Sequence, residues 1–340
     1  MILFITGWRE EEKNLLMGLL DGHDLVFSIP FHDKFYNIFQ GDTWWVGEKQ
    51  LVSLRRSITK TNYQVLETRT IGNKSRCAFI KKNLLYNAVD FDFYTFDRKV
   101  IPRLIKLDPR TPQQILETMY LALFEGFYPH STDVPKIIAT IGTQLHSMGS
   151  FPNLFPDAKF IDIERDAEET LALSLLHSER FMRAECLRGR KNRKEIAEIY
   201  SLMYEILSCR EEAKKIIERY PDRMMNVCFH EVLTNTEEMM KKIANFLDIP
   251  FSPILTQWTW MGKNMFSNGQ WYADEEMEEA KERIPPIVWN AIRDSKYKFY
   301  KKKHWTERIW KHYSKKMLSK SSSILEGIAK SLETYAKYIN

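Results

Sequence analysis

The apolar positions of this chain fall into two rhythms, short unbroken runs and stripes spaced three or four residues apart. Ile2 to Thr6 is a short apolar run, suited to a strand buried on both faces. Leu15, Leu16, Leu19 and Leu20 form one helical stripe, and Gly7 between the two permits a sharp exit. Asp21-Gly22-His23-Asp24 reads as a turn, and Leu25 to Ile29 is a second buried strand closing at Pro30. Thr111-Pro112 opens a helix through Glu125, with Ile115, Met119, Ala122 and Leu123 on one side and Gly126 as its end. Ile137 to Ile141 is the next strand, Pro152 to Pro156 a turn, and Lys159 to Glu164 a strand. A helix carrying Leu171, Leu175 and Leu176 follows. From Lys194 to Tyr220 a long amphipathic helix keeps Ile196, Ile199, Met203, Ile206, Ala213 and Ile217 inside, until Pro221 breaks it. Met225 to Phe229 and Thr236 to Leu247 add a strand and a helix. Strands alternating with helices predict an α/β fold, a mostly parallel sheet with helices on both faces.

Two stretches depart from that rhythm. Residues 40–110 are aromatic and basic, and the broken alternation of Val65, Glu67, Arg69 and Ile71 suggests short strands or loops rather than long helices. This insertion gathers Arg55, Arg56, Lys60, Lys74, Arg76, Lys81 and Lys82, which read as a solvated basic face or as a lobe for an anionic acceptor. The expected main domain spans 1–285, insertion included, and residues 286–340 form a helical, basic extension. In that extension Ser323 and Glu326 make a capping box ahead of a stripe of Ile324, Ile328, Leu332, Tyr335 and Ile339. Residues 296–320 hold ten Lys and Arg against Glu307 alone, enough to rest on an anionic membrane surface; packing on the core or on a second subunit is the other reading.

Composition narrows the class. With 340 residues, 44% hydrophobic and 28% charged, the chain has the makeup of an ordinary soluble globular protein. A net charge of +5 is mild for this length and gives no reason to expect nucleic acid. Cys77, Cys186, Cys209 and Cys228 have no metal-ligand or redox spacing and suit free thiols in a cytoplasmic protein. No His, Cys and Asp cluster suggests a metal site. The pattern specifies no oligomeric state.

Three ordered stretches resemble the sulfotransferase family that uses 3′-phosphoadenosine-5′-phosphosulfate. They are the opening strand, turn and helix with its Asp21-Gly22-His23; the run Leu154-Phe155-Pro156-Asp157-Ala158-Lys159-Phe160-Ile161 through Arg165-Asp166; and Tyr220-Pro221-Asp222 with Phe246-Leu247-Asp248-Ile249-Pro250-Phe251. The resemblance covers about residues 1–35 and 135–275 and implies a P-loop-like parallel sheet.

The resemblance also implies chemistry. In the family, backbone N–H groups of the first turn and a basic residue hold the donor's 5′-phosphosulfate at a helix N-terminus. This assigns Gly7, Lys13 and Asn14 to donor binding, with the family's basic residue falling on Glu10. A Glu within about 4 Å of a phosphate repels it by roughly 4 kcal/mol at an effective dielectric of about 20. Glu10, Glu11 and Glu12 therefore read either as caps of a helix that no longer grips phosphate or as solvent-facing residues beside a replacement cation, Arg9 or Lys13. The family's 3′-phosphate contacts fall on Arg165 and, displaced by one residue from the family spacing, on Ser174; Lys263 belongs to a loop that closes over the donor. His32, with Asp33 second, is the candidate base that takes the acceptor's hydroxyl proton, at the carboxyl edge of the expected sheet. The implied reaction is sulfuryl transfer to a hydroxyl of a saccharide, lipid or small molecule, an anionic saccharide among them. The alternatives are a binding or scaffold protein of the same fold, or an enzyme taking another anionic donor.

Overall fold

The computed structural model describes residues 1–8, 11–29, 92–107, 111–142, 145, 150–176, 193–264, 273–284 and 286–301. Five parallel strands form its sheet: β1 (Ile2–Thr6), β2 (Val26–Ser28), β3 (Ile137–Ile141), β4 (Lys159–Glu164) and β5 (Met224–Cys228). Their spatial order is β2-β3-β1-β4-β5, so β1 lies at the centre between two partners that come much later in the chain. Register places Ile5 beside Ile141 on one side, and Thr6 beside Asp162 on the other.

Both faces of the sheet are covered, which explains the unbroken apolar runs. Ile2 and Phe4 point to one core with Phe27, Ile138 and Phe160; Leu3 and Ile5 point to the other with Ile137, Ile161 and Ile163. The first core is closed by the helices α2 (Phe93–Lys106) and α3 (Pro112–Phe127). Phe4 stacks on Phe160 at 5.1 Å between ring centres and meets Phe151 and Phe155 at 5.8 and 5.4 Å. The second core is closed by α1 (Lys13–Leu20) and by helices that follow the sheet's last strand. A one-turn helix α4 (Phe151–Leu154) stands where the sequence suggests a turn.

Helix α2 corrects the reading of residues 40–110 as short strands or loops; residues 40–91 lie outside the described residues. Asp92 caps it by accepting the Thr95 N–H at 3.0 Å, and Phe96, Val100 and Leu104 bury one stripe against α3. Pro102 inside the helix hides that stripe from a sequence reading. Helix α3 begins as expected, with Thr111 and Gln114 forming a full capping box, but it runs past Gly126 to Phe127.

Two further helices, α5 (Ala167–Leu176) and α6 (Arg193–Arg219), leave the sheet's edge and build a third core. It is shared with α9 (Ala273–Arg283) and α10 (Pro286–Lys301), so Val288, Ile292 and Phe299 of the segment beyond Pro285 pack against Leu171, Met203 and Ile206. The capping box at Ser323 and the stripe behind it lie outside the described residues. No helix among the described residues is long and apolar enough to cross a membrane.

The Asp21-Gly22-His23 turn joins distant parts of the chain. The helices α7 (Phe229–Thr234) and α8 (Thr236–Leu247) lead to a small hairpin of β6 (Thr259–Trp260) and β7 (Lys263–Asn264). Asp21 accepts from Thr259 Oγ1 and from the Gly262 N–H, both at 2.8 Å. His23 Nδ1 accepts the Leu25 N–H at 3.1 Å, which leaves Nε2 to donate to the Pro250 carbonyl at 3.0 Å. Two of the three resembling stretches therefore meet, and in both the recurring residues do structural work.

Candidate functional site

Beyond the carboxyl edge of the sheet, the turn after β1 faces the exit of β4, because the two strands are paired. Gly7 makes the turn at φ 146°, and a Cβ there would lie 2.6 Å from the Ile163 carbonyl oxygen, so no other residue fits. The chain enters α1 through Glu12, which is left-handed at φ 55°. Lys13 is buried and donates from Nζ to the carbonyls of Gly7 and Trp8 at 3.0 and 2.6 Å. It fastens the turn from inside.

Glu11 is the unexpected residue. It is only 2% exposed, and its Oε2 accepts the Trp8 N–H. Its Oε1 takes two bonds from Arg210 of α6, through Nη2 and through Nε at 3.1 Å. Burial pushes the Glu11 carboxyl above its ordinary pKa, against the pull of Arg210, the Trp8 amide and Lys13. Arg210 is anchored further by the Arg165 carbonyl and by Thr170 Oγ1 at 3.2 Å. A small pocket between them is lined by Gly7, Trp8, Glu11, Asp162, Cys209 and Arg210. Burial pushes the Cys209 thiol far up, which removes it as a nucleophile at neutral pH.

Arg165 leaves β4 into the same region. Its guanidinium lies over the Phe229 ring at 4.7 Å, Nε donates to Glu169 at 2.8 Å, and Nη1 stands 4.0 Å from Glu12. Among the described residues, Nη1 is buried without a hydrogen-bond partner, and so is Oγ of Ser174 on α5. Glu169 also faces the exposed His230 at 3.5 Å. Asp162, one strand position from the turn, accepts from Thr6 Oγ1 at 2.5 Å, and burial lifts its pKa to about 7.

Among the residues singled out from sequence, Gly7, Lys13 and Arg165 converge around the turn. The Asn14 side chain is exposed, and its carbonyl accepts from Trp258 Nε1 at 3.2 Å. Ser174 sits deeper along α5, and Leu173, the residue at the family's spacing, is core. His32, Asp33, Arg9 and Glu10 lie outside the described residues, as does the side chain of Lys263. Glu11 and Arg210 were missed. Arg210 did leave a signal, since it falls on the inner stripe of α6 between Ile206 and Ala213, where an apolar residue belongs. Among the described residues, no group of His, Cys, Asp and Glu is arranged to hold a metal ion.

A parallel sheet in the order β2-β3-β1-β4-β5, with its turn and arginine at the carboxyl edge, is an open α/β sheet with its candidate site where such sheets bind ligands. The model of the sulfotransferase family matches residues 98–253, from α2 through β3, β4 and β5 to the turn after α8. A little under half of the chain is thus similar to the sulfotransferase family. The turn after β1 lies outside the matched segment.

Solved structures similar to this chain include the sulfotransferase domain of the curacin biosynthetic pathway, at 15% identity over 75% of this chain and 76% of that one, with a TM-score of 0.40. The sulfotransferase domain of the Synechococcus PCC 7002 olefin synthase is 14% identical over 88% of this chain and 94% of that one, also at 0.40. Sulfotransferase STF9 of Mycobacterium avium is 15% identical over 74% and 65%, at 0.37. No curated protein matches.

Proposed function

We propose that this protein transfers a sulfuryl group from 3′-phosphoadenosine-5′-phosphosulfate to a hydroxyl of a saccharide, lipid or small-molecule acceptor. The family match over residues 98–253 supports sulfuryl transfer in general. The observation that carries the donor is Arg165, whose buried Nη1 has no hydrogen-bond partner among the described residues. A buried N–H left unmade costs about 1–3 kcal/mol, and a phosphate oxygen placed there recovers it with a charge-assisted bond. The family resemblance gives this arginine and Ser174 to the 3′-phosphate, and both carry an unsatisfied buried atom. In the reaction the acceptor oxygen bonds to sulfur as the bond from sulfur to the 5′-phosphate oxygen breaks, and adenosine 3′,5′-bisphosphate leaves. The acceptor proton goes to a base, for which His32 and then Asp33 are the candidates.

Calorimetric titration with adenosine 3′,5′-bisphosphate tests the donor. Micromolar binding that Arg165→Ala weakens about a hundredfold, near 3 kcal/mol for a charged hydrogen bond, is the expected result. No heat at millimolar ligand would sink the proposal.

One observation favours the second reading, a protein of this fold that binds without transferring or takes another anionic donor. The turn that would hold the 5′-phosphosulfate already holds the Glu11 carboxylate.

A further inference from the structure

We propose that Arg210 is the cation that receives the donor's 5′-phosphosulfate end, and that Glu11 is an internal stand-in which an incoming oxyanion displaces. This inference rests on the donor reading above and says which residue replaces the basic group the turn lacks.

A carboxylate is itself a small oxyanion, and the bonds of Glu11 are those an external one would need. One oxygen takes the Trp8 N–H in the turn ahead of α1, and the other lies in the guanidinium fork of Arg210. Among the described residues, Lys13 of the same turn is otherwise engaged, since its Nζ bonds the carbonyls of Gly7 and Trp8. Arg210 would keep its place when Glu11 leaves, because the Arg165 carbonyl and Thr170 Oγ1 also hold it.

A second observation points to a ligand at the same place. Arg165 has a side chain 2% exposed, and its Nη1, which makes no hydrogen bond among the described residues, lies 4.0 Å from Glu12 at the N-cap of α1. Arg165 and Arg210 thus both reach the residues that lead into α1, Arg210 engaged through Nε and Nη2 and Arg165 with an Nη1 that makes no hydrogen bond among the described residues. The ligand class that fits is a sulfate or phosphate group carried on a larger phosphorylated molecule. The internal carboxylate competes with it, so affinity in the unaltered chain is lowered by the cost of moving Glu11 out.

The test uses the full chain and two probes, adenosine 3′,5′-bisphosphate and inorganic pyrophosphate, followed by calorimetry. Glu11→Gln keeps the shape and an acceptor for the Trp8 amide but removes the competing charge. Both probes are expected to bind at least about tenfold more tightly. Adding Arg210→Gln to that variant is expected to abolish the gain. Arg210→Lys alone keeps a positive charge but loses the fork, so it spares the fold and is expected to weaken nucleotide binding about tenfold. The inference is overturned if Glu11→Gln binds neither probe more tightly than the unaltered chain. It is equally overturned if either Arg210 variant leaves affinity unchanged. A gain for pyrophosphate that depends on Arg210, with no binding of the nucleotide, upholds the oxyanion site and removes the nucleotide donor instead.

Discussion

Asp162 lies buried on β4, 4% exposed, and accepts a hydrogen bond from Thr6 Oγ1. Burial is the chief cause that raises its pKa from 3.8 to about 7; the Glu11 and Glu164 carboxylates add to it, while the Thr6 hydroxyl and Lys13 oppose it. In the folded protein this carboxyl therefore stays protonated through acid pH, whereas in the unfolded chain it ionises near 3.8. The contribution to stability is fully present below the unfolded value and is lost as pH rises through the folded one. An interval of about three pH units at 1.36 kcal/mol each makes the loss about 4 kcal/mol, complete above pH of about 7. Asp162→Asn is neutral at every pH and escapes it. Urea unfolding of both proteins between about pH 4 and pH 8 isolates the effect, because other carboxylates titrate alike in each. The stability of the Asn variant relative to the unaltered chain is expected to climb by about 4 kcal/mol across that range. A difference that stays flat with pH would show that Asp162 is ionised in the fold, and the burial argument would fall.

Other outcomes follow from the packing. A Cβ on Gly18 would stand 2.0 Å from Trp258 Nε1, so Gly18→Ala should cost about 1–3 kcal/mol by overpacking in thermal unfolding, and Trp258→Ala in the same chain should recover part of it. Full additivity of the two would refute the contact. Lys296 of α10 bonds Asp166 at 2.7 Å near the start of α5, with both side chains partly exposed. Lys296→Ala should therefore cost under about 1 kcal/mol, shrinking further in high salt.

Most of the frame was legible because it is local. Lys159–Glu164 and Thr236–Leu247 run over the residues their apolar patterns mark, and Thr111 announces its helix through the capping box. Helix α2 was not, since Pro102 contradicts the stripe that Phe96, Val100 and Leu104 bury. At the site, Gly7 and Arg165 were legible from the strand ends they follow. The partner of Glu11 was not, because Arg210 lies 199 residues away and only the fold joins them. Three consecutive glutamates also look alike in sequence. What separates Glu11 from Glu12 is the backbone direction set by Gly7 and by the left-handed Glu12.

The central place of β1 has a consequence for how the chain is made. All five of its residues are buried, yet its neighbours in the sheet, β3 and β4, begin at Ile137 and Lys159. At a ribosome's roughly 5–20 residues per second, about 10–30 seconds pass before both partners exist. Through that time an adhesive apolar segment waits unpaired, and its pairing then closes loops of well over a hundred residues. Folding of this chain should accordingly be late and slow.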